Sequence, residues 1–586
     1  IDIEFVGTGK NTRGIGARAW IFAKGKMQYG QVMSTRGFQS SCDPRLHFGL
    51  DSLHNIDSML IVWPDQKYQL IKTIPVVGRI TVNQREAGGR FNYDQFFPAA
   101  KPLFSDVTPQ AGLNWTHEEN DFLDFNKQYL TPHMESTRGP KLAVGDVNRD
   151  GLDDIYVCGA SGQAGQMLLQ NAAGKFIASD TAVFGKAWLS EDVDAVFFDA
   201  NNDNAPDLYV VSGGNQFDDG DPRLADHLYI NDGKGHFTMA EGAIPNLLKN
   251  KSCVTAADID KDGDNDLFVG GLADAKRFGI SQPSYLLLND GKGHFSQAGA
   301  SQIKLDNLGI VTTASFTDLD KNGWPDLVVA GEWMDVKIFR NNNGRFTETA
   351  IPASTGLWQS VYSTDVNGDG FMDILAGNWG HNSKLYAGKN GPVKLYIKDF
   401  DNNGSVEQVM AYTIDKKEYT FLAKDELERP LPVLKKAYLK YSEVAGKTVD
   451  YMFYDLFKDY TERKAETLGS CCFINDGKGG FTKQDLPDML QLAPVFSFAP
   501  ASPAVSGEYL AGGNFYGVVP YEGRYDALLP TAFSFSKTKM GFETNASTSF
   551  ADGEVRDTKW IRYAGGKQVL VIAQNNRPLV FLAPAR

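Results

Sequence analysis

Apolar residues along most of this chain fall in short runs, alternating or continuous, each cut off by Gly, Asn or Asp. Such runs predict β-strands rather than long helices. From about residue 140 they recur in a fixed order. An apolar run such as KLAVGD or TTASFTD leads into an acidic nonapeptide. A β-branched run follows (IYVCG, LYVVSG, LFVGG, LVVAG or ILAGN), and a further strand ends in a tight turn. The turns are LYINDGKGHF (Leu228–Phe237), LLLNDGKGHF (Leu286–Phe295), IFRNNNGRF (Ile338–Phe346) and CFINDGKGGF (Cys472–Phe481). Asn-Asp-Gly and Asn-Gly supply the positive φ of a hairpin turn. The closing Phe is expected to pack between neighbouring units.

The nonapeptides are DVNRDGLDD (Asp146–Asp154), DANNDNAPD (Asp199–Asp207), DIDKDGDND (Asp258–Asp266), DLDKNGWPD (Asp318–Asp326) and DVNGDGFMD (Asp365–Asp373). They start 53, 59, 60 and 47 residues apart, a period that suits a four-stranded propeller blade. A sixth, DFDNNGSVE (Asp399–Glu407), ends in Glu. Two later segments, Val495–Gly517 and Val555–Leu582, keep the strands without the acidic loop. The expectation is an all-β chain with a seven-bladed propeller, eight being the alternative, in which the Asp365 and Asp399 loops share one composite blade. A strand near Leu103–Val107 is expected to close the ring against the last blade, because closure leaves no open sheet edge.

The period breaks between about 424 and 460, where Leu, Val, Tyr and Phe take helical spacing, which predicts a helical excursion from a blade. Residues 1–96 lack the repeat. They alternate runs such as RAWIFAK, SMLIVWP and RITVNQ with turns, as in a small β-sandwich-like domain, and the propeller is assigned to 97–586.

Composition narrows the function. The net charge of −14 disfavours nucleic acid as a partner. No apolar run is long enough to span a bilayer. The five cysteines show no metal or disulfide spacing, and the first residue is Ile1, so any export signal lies outside the sequence.

The acidic loops carry the candidate chemistry. Calcium takes six to eight oxygens, and D-x-[DN]-x-[DN]-G-x-x-D presents them from side chains at positions 1, 3, 5 and 9 and a carbonyl at 7. The ligands would be Asp146, Asn148, Asp150, Leu152 and Asp154 in the first loop, and Asp199, Asn201, Asp203, Ala205 and Asp207 in the second. The third offers Asp258, Asp260, Asp262, Asp264 and Asp266, and the fourth Asp318, Asp320, Asn322, Trp324 and Asp326. The fifth offers Asp365, Asn367, Asp369, Phe371 and Asp373, and the sixth Asp399, Asp401, Asn403, Ser405 and Glu407. About five Ca2+ ions are expected, six if the Asp399 loop binds. Asn204 stands where Gly is usual and can take the left-handed conformation. An EF-hand would need Glu at position 12 and flanking helices, but that position holds Val or Ala inside strand-like runs.

These loops resemble the FG-GAP (VCBS-type) repeats of integrin α-subunit propellers and many bacterial surface proteins. The first domain resembles the ASPIC/UnbV domain through NTRGIGARAWIF (Asn11–Phe22), LHFGLDSLHNIDSMLIVWPD (Leu46–Asp65) and ITVNQ (Ile80–Gln84). The pairing is similar to the cartilage acidic protein family and, more closely, to large surface proteins of Bacteroidota-type bacteria. In those relatives another propeller often precedes the ASPIC domain, so this chain fits the C-terminal part of a longer protein. The resemblance implies an extracellular or outer-membrane location, attachment through an N-terminal lipid anchor outside the sequence, and partners in nutrient uptake or outer-membrane assembly.

Segments after each second strand should converge on one face of the ring: Gly159–Ser161, Gly213–Asn215, Gly270–Leu272, Gly331–Trp333, Gly377–Trp379 and Gly512–Asn514. They nominate Trp333, Trp358, Trp379, His381, Asn215 and Asn514 as ligand-binding residues, for a glycan, a peptide or another surface protein. The alternative is that they only fill the channel. No HExxH, GxSxG, P-loop or dinucleotide fingerprint is present. A non-catalytic binding or scaffold protein is therefore expected, the alternative being a propeller glycosidase or lyase acting on polysaccharide.

Overall fold

The structure is a computed structural model and describes residues 1–75, 78–98, 102–385, 391–519 and 522–585. The chain forms two compact units, Ile1–Lys101 and Pro102–Arg586. In the first unit, Asp2–Val6 pairs parallel with Arg79–Asn83 and antiparallel with Leu46–His47. A five-stranded sheet is built around Arg18–Ala23 and Asn55–Val62. Alternation puts Ala19, Ile21, Met59 and Ile61 in a core with Ile3, Phe5 and Trp63, and leaves Trp20, Leu60 and Val62 on the other face with Phe91.

The second unit is a ring. Among its described residues, seven sheets begin with the inner strands Leu142–Gly145, Glu191–Phe198, Lys251–Ala257, Ile310–Thr317, Ser360–Thr364, Val495–Ser502 and Val555–Tyr563, each four-stranded except the fourth, where the short strand Gly356–Leu357 adds a fifth. We number these sheets blades 1 to 7. Each inner strand lies beside the next, and the last lies beside the first. Phe104–Asp106 completes blade 7 by pairing antiparallel with Val580–Pro584, so the ring has no open seam.

Blades adhere through apolar faces, for example Val211, Leu228, Val254 and Leu287 between blades 2 and 3. Polar staples work at the inner strands. Ser252 Oγ donates to the Val311 carbonyl (2.6 Å), Thr312 Oγ1 to Trp358 (2.8 Å) and Ser360 Oγ to Val495 (2.9 Å). Each carries a buried hydroxyl from one blade to the backbone of the next, so neither group is left unpaired.

Blade 5 contains the irregular region. Its strand Asp373–Gly377 pairs with Cys471–Asn475, and the chain between them builds a separate sheet. That sheet runs Lys417–Thr420, Glu407–Ile414, Val393–Lys398, Thr461–Ala465. The Asp399 loop therefore belongs to an inserted sheet, which corrects the composite-blade expectation. The cause is register: Val393–Lys398 pairs on both sides with inserted strands and leaves no edge for the ring. The helical excursion holds Lys424–Glu428, Pro432–Ala437, Tyr441–Val444 and Val449–Phe453. Leu427, Leu431, Leu434, Val449 and Phe453 anchor it in the largest hydrophobic cluster. No helix among the described residues is long and apolar enough to cross a membrane.

Candidate metal loops and a plugged ring face

All six acidic nonapeptides fold alike. The position-1 carboxylate accepts backbone N–H groups across the loop: Asp146 from Asp150 and Gly151, Asp318 from Asn322 and Gly323, Asp365 from Asp369 and Gly370. Asp199 and Asp399 do the same, and Asp258 accepts from Gly263. Position 5 accepts the N–H of position 7 in each copy, from Asp150 with Leu152 to Asn403 with Ser405. Position 4 takes left-handed backbone throughout, at Arg149, Asn202, Lys261, Lys321, Gly368 and Asn402. Asn204 occupies the glycine position at φ 64°, the conformation the sequence requires of it.

The position-9 carboxylate stands where the second strand starts. Asp154 accepts the N–H of Val147 on one oxygen and of Gln170 on the other. Burial drives its pKa up to about 7 against those hydrogen bonds, and Asp150 and Asp146 add to the rise. Burial likewise lifts Asp266 and Glu407 to about 7, and Asp207 and Asp373 to about 6. Among the described residues, ion-paired cations reach only two of the six loops. Arg340 lies 2.7 Å from Asp326, and Arg562 lies 3.9 Å from Asp146.

The donor set fits a hard divalent cation. In the third, fourth and sixth loops, oxygens of Asp258, Asp260 and Asp262, of Asp318, Asp320 and Asp326, and of Asp399, Asp401 and Glu407 lie within 4.8 Å of one another. Asp258 Oδ1, Asp264 Oδ1, Asp266 Oδ2 and Asp401 Oδ1 are buried without a hydrogen-bond partner. Oxygen-only ligands from carboxylates and carbonyls suit calcium and not a soft metal.

The loops are also tied to one another, through residues whose role the sequence did not reveal. The Asn of each Asn-Asp-Gly or Asn-Gly turn reaches the preceding blade. Asn231 Nδ2 donates to Val147 O, Asn289 to Ala200 O, Asn341 to Ile259 O and Asn475 to Leu319 O. Lys261 sits 4.1 Å from the Trp324 ring centroid and Lys321 3.9 Å from that of Phe371, joining position 4 of one loop to position 7 of the next. The repeated Asn at a fixed offset was the available signal.

At the opposite end of the inner strands, residues 113–140 cross the ring as a plug. The plug meets blade 7 through His117 N–H on Arg577 O, and blade 1 through Glu118 N–H on Gln163 Oε1. Lys127 reaches Asn215 O of blade 2, and Gln128 reaches Ala275 O of blade 3. Met134 N–H bonds Gly517 O of blade 6. Arg138 Nη2 bonds Glu332 Oε1 of blade 4 (2.8 Å), and its Nη1 bonds Gln359 Oε1 of blade 5 (2.8 Å).

The centre of the plug is charged and buried. His133 Nε2 lies 3.0 Å from Glu135 Oε1 and 3.0 Å from Glu332 Oε2, both carboxylates fully buried. Arg138 Nε closes on Glu135 Oε2 at 2.6 Å. Burial opposes the imidazolium, but Glu332 and Glu135 outweigh it and hold His133 at about 9. The ring is boxed by Trp379 at 4.7 Å, Phe278 at 5.7 Å and Phe515 at 5.9 Å. Two cations then face two anions. This group also clusters within ligand distance, yet the guanidinium and the imidazolium already neutralise it.

The segments expected to converge on one face do converge, and the chain's own plug covers them. Asn215 Nδ2 bonds Asp124 of the plug, and Trp379 packs at a tilt against His133. Asn514 is buried, its amide on Leu528 O and Gly553 O. Trp333 is buried in the core at φ 59°, and Trp358 is buried with its Nε1 on Ser354 O. His381 is exposed, its backbone N–H on Gln491 O. Five of the six nominated side chains are therefore core or plug contacts, a correction to their reading as a presented ligand surface. Gly-rich backbone does allow close approach there, but what approaches is the same chain.

Residues 7–89 match the family model described as ASPIC and UnbV. Residues 146–210, 199–269 and 318–376 match the FG-GAP-like repeat model. No curated protein matches the chain. Among solved structures, BBS1N from its complex with ARL6DN is similar at 8% identity, covering 83% of this chain and 98% of that one, with TM-score 0.36. The Dos1 propeller is similar at 9% identity over 79% and 96%, with TM-score 0.33. The V. cholerae biofilm matrix protein Bap1 is similar at 10% identity over 81% and 91%, with TM-score 0.32. The sheets and the matched repeats together define an FG-GAP-type β-propeller. This chain carries that propeller after an ASPIC/UnbV domain.

Proposed function

We propose that this protein is a calcium-stabilised, non-catalytic binding or scaffold protein of a cell surface. Its expected partners belong to outer-membrane nutrient uptake or assembly. The observation that carries this reading is six loops of one geometry, each gathering acidic side chains, four of them without an ion-paired cation among the described residues. Extracellular modules hold calcium with Kd ~10⁻⁴–10⁻³ M, so such loops work where calcium is abundant. At millimolar calcium that range corresponds to ~0.4–1.4 kcal/mol of stability for each filled loop by mass action. The ring supplies a rigid framework, and its loops and the inserted sheet supply surface for partners.

The test is bound calcium per chain on the purified protein, with thermal unfolding in calcium and in EDTA. Five or six ions and a large drop in melting temperature on chelation support the reading. No bound calcium and superimposable melting curves sink it.

A further inference from the structure

The ring axis is a blind well. The plug closes one end, and the inner strands run from the plug toward the acidic loops, enclosing a cavity of about 630 Å³ lined by inner-strand residues of blades 2 to 7 and by Lys141 beside blade 1. That size lies within the ~300–1,000 Å³ of ordinary small-ligand sites.

The wall carries charges of both signs in equal number: Lys141, Asp194, Asp557 and Lys559. Each keeps hydrogen-bonding capacity. Asp194 accepts the N–H groups of Ala195 and Val254, and Asp557 those of Leu142 and Thr558. A carboxylate has further lone pairs beyond two such bonds. Lys141 Nζ donates to Arg556 O at 2.7 Å, and Lys559 Nζ stands 3.7 Å from Asp557. Each ammonium therefore has hydrogens to spare. Ser363 Oγ is buried on this wall without a partner. Further along the strands, Tyr362 and Trp560 add half-buried aromatic surface, and Trp560 Nε1 is fixed on Pro500 O.

Balanced charge gives an ion of either sign no net attraction. A hydroxyl group, in contrast, donates to a carboxylate and accepts from an ammonium at once. The C–H face of a sugar ring packs on aromatic side chains. We propose that this well is a binding site for a neutral saccharide, one or two sugar units deep. Lys559, Asp194 and Asp557 contact its hydroxyls, and Trp560 and Tyr362 contact its apolar face. The proposal deepens the binding reading above and rests on it.

The experiment is saturation-transfer NMR and calorimetry on the calcium-loaded full chain. The probes are glucose, galactose, mannose, maltose, cellobiose and lactose, with glucuronate and glucosamine as charged counterparts. At least one neutral sugar binds, and its charged counterpart binds more weakly. Ser315→Phe, which fills the well, abolishes binding. Lys559→Met, on a side chain 47% exposed, weakens it about tenfold or more with an unchanged melting curve. If no neutral sugar binds the folded protein, or if Lys559→Met leaves affinity untouched, the assignment is overturned. The EDTA melting shift is read on the same sample, so loss of sugar binding with that shift intact strikes the well alone.

Discussion

The two ends of the ring both concentrate carboxylates, and they treat them in opposite ways. At the plug, Glu135 and Glu332 meet Arg138 and a protonated His133, so the chain neutralises itself. At the other end, four of the six acidic loops meet no ion-paired cation among the described residues, and burial lifts the position-9 acids of all six. Geometry alone does not separate these cases, since both gather ligating atoms within 4.8 Å. Charge balance does. A buried cluster that already sums to zero gains little from a metal ion, whereas an uncompensated one requires a cation to keep its shape.

The largest effect that would break this contrast is expected at the plug. Arg138→Met leaves two buried carboxylates facing one imidazolium, at a cost of ~3–5 kcal/mol. Urea unfolding in calcium should show it, and a loss below about 1 kcal/mol would mean that the network does not brace the ring.

His133 should make stability pH-dependent on the alkaline side. Its pKa is raised to about 9 in the folded protein, above ~6.5 in the unfolded chain. The contribution is complete below the unfolded value and is lost as pH rises through the folded one. Melting temperature in calcium should therefore fall between neutral pH and about pH 10 more steeply in the native protein than in His133→Gln. Parallel pH curves would remove the imidazolium from the network.

Loop 3 allows a test by sign. Asp258→Asn removes one of five crowded carboxylates and a buried unpartnered oxygen. It should lower stability by ~0.4–1.4 kcal/mol in calcium, with one ion fewer bound. In EDTA it should raise stability, because less repulsion remains. A loss of equal size in both buffers would make the loop a metal-free turn.

The smallest effect concerns the ties between loops. Asn289→Ala deletes the bond to Ala200 O and should cost ~1 kcal/mol in either buffer. Chemical denaturation measures it, and a loss confined to calcium buffer would assign Asn289 to the metal shell instead.

Much of this molecule was legible from residue order. The acidic loops close on themselves within nine residues, so their pattern carries their geometry, including Asn204 in left-handed backbone. Hairpin turns, strand runs and the excursion at 424–460 are equally local. The closing strand Phe104–Asp106 was legible for another reason, since a sheet edge needs cover. The Asp399 loop was legible as a loop and misleading as a blade, because the strand that pairs beside it returns some 60 residues later.

The sequence by itself determined the repeat, the strand order within each unit and the chemistry of the loops, because those depend on neighbours a few positions apart. Only the tertiary structure decided what covers the converging Gly segments and where the axial well lies. Glu332 and Arg138 are 194 residues apart and meet only when the ring closes around the plug. Nothing in the local pattern of 113–140 marks it as a plug, because its hydrogen-bond partners come from all seven blades. Burial then turned the nominated tryptophans into core, and left Lys559 and Trp560, ordinary residues of an alternating strand, beside the open well.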